Sequence, residues 1–383
     1  MSARPLLGAA IIVKNEAGHL DRCLTSLRGV CDEVVVVDTG STDESIEVAR
    51  RHGATLGQYP WDGDFSAARN TALDLLTAEW VLYIDADEEV QPIDVGALRA
   101  QLRDTEGVVA FLVRFASRVG WTPYWEYRVW RHRRDVRFRN RIHETHVPDI
   151  RRIVATEGLR VERGLLSIQH YGYEGDQTTK HHRNRPLLEQ QVLDSPRRVY
   201  LWNHLGQVYD GLGRADEAEA AWERGVQIVR EDGVKEPVDI LVYGSLALHL
   251  LRNDRSARAL IDEGLALDDD HYTLVLADAR QRALDGDFEA AVAALDQLIT
   301  VGSTELDHQA LAYNAAMFGR WPLQLLGESL FELGHYAEAA EAFTEAIEHG
   351  GPAMELRTKA ALCRSLAGLP AAGPSGDELL GTE

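Results

Sequence analysis

VLYIDADEEV, residues 81–90, runs four largely apolar residues straight into Asp85, Asp87, Glu88 and Glu89. Carboxylates packed this closely repel one another, and holding them beside a low-dielectric core is costly unless water or a cation such as a metal ion shares the site. Two readings are open at this point. The strand either ends at the surface and turns into a solvated acidic helix start, or it delivers acids to a binding site. The neighbouring sequence has to decide.

Upstream, AAIIV (9–13) and VVVV (34–37) read as two further buried strands, with helical patterns between them from His19 to Arg28 and from Asp43 to His52. Thr42-Asp43-Glu44-Ser45 supplies capping chemistry for the second helix, and Gly53 sits where a C-terminal glycine belongs. Strands alternating with helices predict an α/β domain built on a parallel arrangement.

The formal net charge of -21 argues against nucleic acid as a partner, because phosphate binding needs clustered positive charge. The charge is unevenly spread. Residues 1–195 hold 25 Lys and Arg against 29 Asp and Glu, whereas the remainder holds 15 against 32. Within the near-neutral half, WRHRRDVRFRNR (130–141) is a dense arginine run that reads either as a solvated face or as a receptor for an anion. No apolar run approaches the length of a membrane helix, and LLGAAIIV (6–13) reads as a first strand rather than a signal segment. Three irregularly spaced cysteines, Cys23, Cys31 and Cys363, fit neither a disulfide framework nor a zinc site, so a reducing cytoplasm is expected.

From about Pro196 the strand signals stop and a helical repeat takes over. In WNHLGQVYDGLGRADEAEAAWERG, the residues Trp202, Leu205, Gly206, Tyr209, Gly213, Ala218 and Trp222 fall on the tetratricopeptide spacing. LQLLGESLFELGHYAEAAEAFTEA repeats it with Leu326, Gly327, Leu330, Gly334, Ala339, Phe343 and Ala346, and weaker copies surround Gly286 and Asn253. Small residues at the Gly and Ala positions let paired helices approach, while the aromatics fill gaps between pairs.

In open α/β sheets, ligands sit beyond the carboxyl ends of the strands. The three strands here end in Lys14-Asn15-Glu16, in Asp38-Thr39-Gly40 and in Asp85-Ala86-Asp87, which should lie along one rim. IIVKNE, VVVVDTGSTD, DFSAARN and YIDADEE, in this order and spacing, resemble the inverting family 2 glycosyltransferases with the GT-A fold, over residues 6–195. RNRIHE (139–144) and IQHYGY followed by HHRNRPLLE (168–189) resemble the branch of that family fused to C-terminal tetratricopeptide repeats, which includes peptide S-glycosyltransferases of glycocin biosynthesis.

The resemblance implies a GT-A, Rossmann-like mixed-sheet domain over residues 1–195, an all-α tetratricopeptide-like domain over 196–369 and a flexible tail over 370–383. It also implies a nucleotide-sugar donor, a uridine one, and a Mn²⁺ or Mg²⁺ ion that offsets diphosphate charge as the nucleotide leaves. Asp85 and Ala86 would then face the ribose or metal-bound water, with Asp87 on the metal and His170 as a further ligand, a satisfied strand-end histidine being its competing reading. Asp38 would accept from the base or ribose; its competing reading is a strand-ending turn residue. Asn15 and Glu16 would contact the nucleotide, with helix entry the alternative for Glu16. Arg69 and Asn70 would face the diphosphate, a solvated arginine on an amphipathic helix being the competing reading for Arg69, and Lys180, Arg183 and Arg185, or else Arg128 and Arg131, would close over it.

Glu144 is the candidate base that accepts the acceptor's proton, and His143, which precedes it in RIHE, is the second candidate catalytic residue. The family often uses an aspartate following an acidic neighbour there, and this chain has none. The acceptor expected is a peptide or protein side chain, its basic segment held by the acidic repeats, which could equally pair two subunits. A saccharide or small-molecule acceptor, and a non-catalytic repeat scaffold, are the alternatives. A nucleotidyltransferase would open with a glycine-rich phosphate loop after its first strand, and VKNEAGHL is not one.

Overall fold

The β-branched runs settle at the centre of an eight-stranded mixed sheet. The computed structural model describes residues 4–172, 178–302, 306 and 311–370, so the tail expected from residue 370 falls, from 371 onward, outside the described residues. The elements of the first half are β1 Leu7–Val13, α1 Ala17–Ser26, β2 Glu33–Asp38, α2 Ser45–Arg51, β3 Thr55–Gln58, α3 Phe65–Leu75 and β4 Trp80–Tyr83. They continue with β5 Glu88–Val90, α4 Val95–Arg103, β6 Val108–Ala116, β7 Tyr124–Arg131, α5 Val147–Glu157, β8 Arg160–His170 and α6 Thr178–Asp194.

The sheet order is β3-β2-β1-β4-β7-β6-β8-β5. The first four strands are mutually parallel, β7 runs antiparallel to β4 and β6, and β5 closes the far edge antiparallel to β8. Alternation along β1 explains why it is apolar throughout. Ala9, Ile11 and Val13 join Leu20, Leu24 and Val48 of α1 and α2 in one core, while Ala10 joins Leu73 of α3 and Ile150 and Ile153 of α5 in the other. The expected mixed α/β domain is thus present, with five strands beyond the three read from the apolar runs: β3, an edge strand; β5, built from the acids Glu88 and Glu89 themselves; and β6, β7 and β8, which complete the far half of the sheet.

The second half is helical: α7 Val199–Gly211, α8 Ala215–Asp232, α9 Leu241–Arg252, α10 Arg258–Leu267, α11 Tyr272–Leu284, α12 Phe288–Val301, α13 Arg320–Glu332, α14 Tyr336–Glu348 and α15 Ala353–Leu366. The strong second repeat becomes α13 and α14. A β-carbon at Gly327 would meet the Phe343 ring at 2.7 Å, so the glycine is what lets these helices close up. The weaker copies are helix pairs as well: Asn253 lies at the α9–α10 turn and Gly286, at φ 81°, at the α11–α12 turn. One compact unit runs to Ala218, so it includes α7, and a second begins at Glu219. No described helix is long and apolar enough to cross a membrane.

Candidate active site

The rim is set by how β4 turns into β5. Glu88 N–H donates to Asp85 O at 3.1 Å, and Asp85 N–H donates to Glu88 Oε2 at 2.8 Å, closing a tight turn around Ala86. Asp85 is thereby aimed at α3 and Asp87 at β8. The β5–β8 register pairs Glu88 with His170, and Tyr171 N–H donates to Asp87 O at 3.0 Å, which brings the aspartate to a histidine 83 positions away in the chain.

Two buried arginines neutralise much of the acidic cluster. Arg128 on β7 is 3% exposed and donates from Nη1 and Nη2 to both oxygens of Glu88, itself 1% exposed, each at 3.0 Å. Its Nε reaches Glu126 at 2.8 Å. Arg69 on α3, also buried, donates from Nη1 to Asp85 at 2.8 Å and from Nε to Glu144 at 2.5 Å. Both guanidinium groups lie over the Tyr83 ring, at 4.5 Å for Arg69 and 4.1 Å for Arg128. Burial raises the Glu88 carboxyl from its ordinary value to about 7, against the downward pull of Arg128.

This corrects one expectation: Arg128 is locked in the core and cannot close over a diphosphate. Arg131 is likewise committed, to the carbonyls of Val108 and Thr105 and to the face of Trp80. The rest of the arginine run is partly dispersed among local acids, with Arg133 on Asp135 and Glu157, Arg137 on Asp74, and Arg139 on Asp149.

Asp87 and His170 form the second pair. Asp87 Oδ2 lies 3.2 Å from His170 Nε2, and His170 Nδ1 lies 3.1 Å from the carbonyl of Ser117. A carbonyl only accepts, so Nδ1 carries a proton and Nε2 faces the carboxylate. That contact is then an imidazolium–carboxylate pair or, with Nε2 unprotonated, two donors of the kind that bind a divalent cation. Burial raises the Asp87 carboxyl, but the bond and charge of His170 and the charge of Lys180 outweigh it and hold the group below its ordinary value. For His170, burial lowers and Asp87 raises, with a net rise. Gly172 completes the pair by what it lacks: a β-carbon there would fall 1.8 Å from Asp87 Oδ2 and 3.1 Å from His170 Nε2. Lys180 Nζ donates to the Gly172 carbonyl. Among the described residues no three His, Cys, Asp or Glu side chains gather as a cage. Mg²⁺-like ions are held by one or two carboxylates plus substrate phosphates, so a two-ligand donor set still fits one that arrives with a diphosphate.

The other expected residues divide. Asn15, at φ 56°, accepts through Oδ1 from Thr42 N–H at 2.7 Å, and Glu16 pairs with His19 at 2.7 Å. Both line an open cleft with Ala17, Gly18, His19, Arg22 and Asp43. Asp38 is buried and accepts from Gly40 N–H at 3.0 Å and Ser41 N–H at 3.1 Å, the work of a turn residue. Arg183 Nε donates to Asn184 and Arg185 pairs with Glu189, each along α6.

Asn70 uses both ends of its amide on the Phe138 backbone, at 3.0 Å each. Replacing Asn70 with alanine strands a backbone donor and acceptor. Urea titration should show stability lower by about 2–3 kcal/mol with an unchanged slope.

Sequence reasoning named Glu88 only as one of four crowded acids and missed Glu126, Ser117 and Gly172. The doubled acid of DADEE was a signal that more than one cation had to be found, but nothing in the chain marked which.

Residues 9–153 match the family described as Glycosyl transferase family 2, and residues 199–229 and 323–348 match the tetratricopeptide repeat. A TPR repeat-containing protein of Synechococcus elongatus is 33% identical over 232 residues, covering 59% of this chain and 58% of that protein. An uncharacterized glycosyltransferase of Rickettsia felis is 40% identical over 84 residues, 22% of this chain and 29% of that one. The prophage-derived glycosyltransferase SunS of Bacillus subtilis is 34% identical over 88 residues, 22% of this chain and 21% of that one. The chain therefore spans less than two thirds of each of these relatives. Among solved structures, glucosyl-3-phosphoglycerate synthase of Mycobacterium tuberculosis, in complex with Mn²⁺, uridine diphosphate and phosphoglyceric acid, aligns with a TM-score of 0.37. That alignment is at 15% identity, over 48% of this chain and 76% of that one.

Proposed function

We propose, from the premise that a family 2 glycosyltransferase domain is here joined to a tetratricopeptide-repeat array, that the chain moves a sugar from a uridine nucleotide sugar to a side chain of a peptide or protein, with inversion. The observation that carries this reading is the Asp87–His170 pair beside the Asp85–Arg69–Glu144 ion pairs, at the carboxyl edge of β4. Mn²⁺ or Mg²⁺ would be held by Asp87 and His170 and would supply Lewis-acid stabilisation of the diphosphate. The cleft at the mouth of β1, with Asn15 and Glu16, suits the nucleoside.

Arg69 ties the donor-side acid, Asp85, to Glu144, so any shift of one carboxylate is felt by the other. As proton acceptor, Glu144 has Oε2 to offer while Arg69 occupies Oε1. The acidic repeat half favours a basic acceptor segment over an acidic one.

Calorimetric titration of the full chain with sugar nucleotides in the presence of Mn²⁺ tests the donor. Incubation of the best binder with peptides, read by mass spectrometry, tests the acceptor, and the anomeric configuration of the product tests inversion. Failure to bind any nucleotide sugar with any divalent ion would overturn the proposal.

Gly172→Ala probes the same site without touching a charge. The added methyl must drive Asp87 away from His170. Calorimetry should show Mn²⁺-dependent nucleotide binding weakened about 10–100-fold, the range typical when the support of a metal ligand is lost. An unchanged affinity would separate Asp87 from metal binding.

A further inference from the structure

The loop that carries Glu144 is held in an uncomfortable shape. Asn140 and His143 have φ values of 76° and 51°, in the left-handed region that side chains with a β-carbon occupy only at a cost. Backbone hydrogen bonds in both directions between Arg139 and Thr145, each 3.0 Å, pinch the loop shut. Its first half is fastened to α3: Phe65 N–H donates to Arg141 O at 2.9 Å, and Ser66 Oγ donates to Asn140 O at 2.5 Å. Ile142 N–H reaches Gln191 Oε1 of α6 at 3.4 Å.

His143 is held by a different element. Its ring lies 4.2 Å from that of His204, tilted by 31°, and 5.3 Å edge-on from Tyr200, and those two rings are 4.3 Å apart. Both partners belong to α7, the first helix of the repeat signature. Burial, seconded by His204 and Arg198, pushes the His143 imidazole well below its ordinary value, and burial takes His204 to about 4. Two neutral imidazoles can stack at this distance; two cations would repel.

A left-handed residue relaxes when its side chain is released, and relaxation at His143 would swing the residue that follows it. We propose that His204 and Tyr200 are positioning residues: by gripping His143 they keep Glu144 against Arg69, so that the first repeat helix is a structural part of the reaction centre. This rests on the reading of Glu144 and Arg69 as part of the transfer site. It goes beyond that reading in assigning a role to side chains of the repeat region.

The test uses the full chain with His204→Ala, His204→Phe and His143→Gly. In His204→Ala, amide exchange across residues 140–145 should quicken and kcat should fall between about ten- and a hundredfold, with the donor KM within about twofold. His204→Phe keeps a ring in place and should restore both. His143→Gly removes the grip and, with no β-carbon, the left-handed strain as well; the freer glycine leaves the loop held by neither, so exchange should quicken and kcat fall as in His204→Ala, which keeps the test decisive if His204→Ala fails to fold. Unchanged exchange in both alanine and glycine variants overturns the clamp, and quickened exchange with an unchanged kcat overturns its positioning role. Glu144→Gln, assayed alongside, separates the two ideas. If it retains full kcat, the reading of Glu144 fails, and the exchange data alone then decide whether α7 holds the loop.

Discussion

Asp87→Ala is expected to lower the rate of sugar transfer by about a thousandfold, roughly 4 kcal/mol of transition-state stabilisation, while leaving the fold in place. The size follows from the charge at stake. In the proposed reaction a departing diphosphate would gain negative charge beside Asp85, Glu88 and Glu89, and Arg69 and Arg128 are already engaged with Asp85, Glu144, Glu88 and Glu126. In the proposed mechanism a cation held by Asp87 and His170 would supply the counter-charge that Arg69 and Arg128, already paired, do not. Removing one of two protein ligands should abolish most of its effect, whereas His170 can lose its proton and keep its bond to Ser117, so unfolding midpoints should move little. Glu89→Ala is the control: its carboxylate leans on the half-exposed Arg22 at 3.3 Å and should be dispensable within about twofold. Steady-state kinetics at saturating Mn²⁺ decide, and full activity in Asp87→Ala would remove the mechanism.

What the sequence disclosed, and what it withheld, divides by distance along the chain. β1, β2 and β4 were legible because strands covered on both faces must be apolar throughout, and the repeat helices because their small and aromatic residues recur at fixed offsets. β3 was not, because TLGQ is a short edge strand with both end residues exposed, where Gly57 lets Leu75 lie close. β5 was not, because Glu-Glu-Val after Asp-Ala-Asp reads as a helix start until β8 is there to pair with it. At the site, the rim position of Asp87 could be reasoned from strand ends, but its meeting with His170 depends on a sheet register that no local pattern encodes. The arginine run shows the same limit from the other side. Seven like charges between positions 128 and 141 read as one basic surface, yet folding sends Arg128 inward to Glu88 and Arg131 under Trp80, and spreads others over Asp74, Asp135, Asp149 and Glu157. Charge density in a sequence is not charge density on a surface.

Arg128→Met should be strongly destabilising, costing about 3–5 kcal/mol, because it leaves the Glu88 carboxylate buried without a counter-ion. The pair itself need not stabilise the protein relative to an apolar core; it is the broken half that is costly. Arg128→Met combined with Glu88→Gln should therefore recover more than half of the loss, since the amide oxygen can still accept from Asp85 N–H, the fully buried charge is gone, and Glu126, which also loses Arg128, is 31% exposed and can be solvated. The pH dependence gives an independent reading. Burial and the neighbouring Asp85 raise the Glu88 carboxyl, and Arg128 opposes them. With Arg128 gone, the folded-state value rises further above the unfolded value of 4.5. A carboxyl raised by folding contributes stability that is fully present below the unfolded value and is lost as pH climbs through the folded one. Urea midpoints of Arg128→Met should thus fall from about pH 5 to pH 8 more steeply than those of the parent, and the double variant should lose that slope. Equal stability of the single and double variants, or a single variant insensitive to pH, would mean that the acids of the DADEE turn are balanced by something other than Arg128.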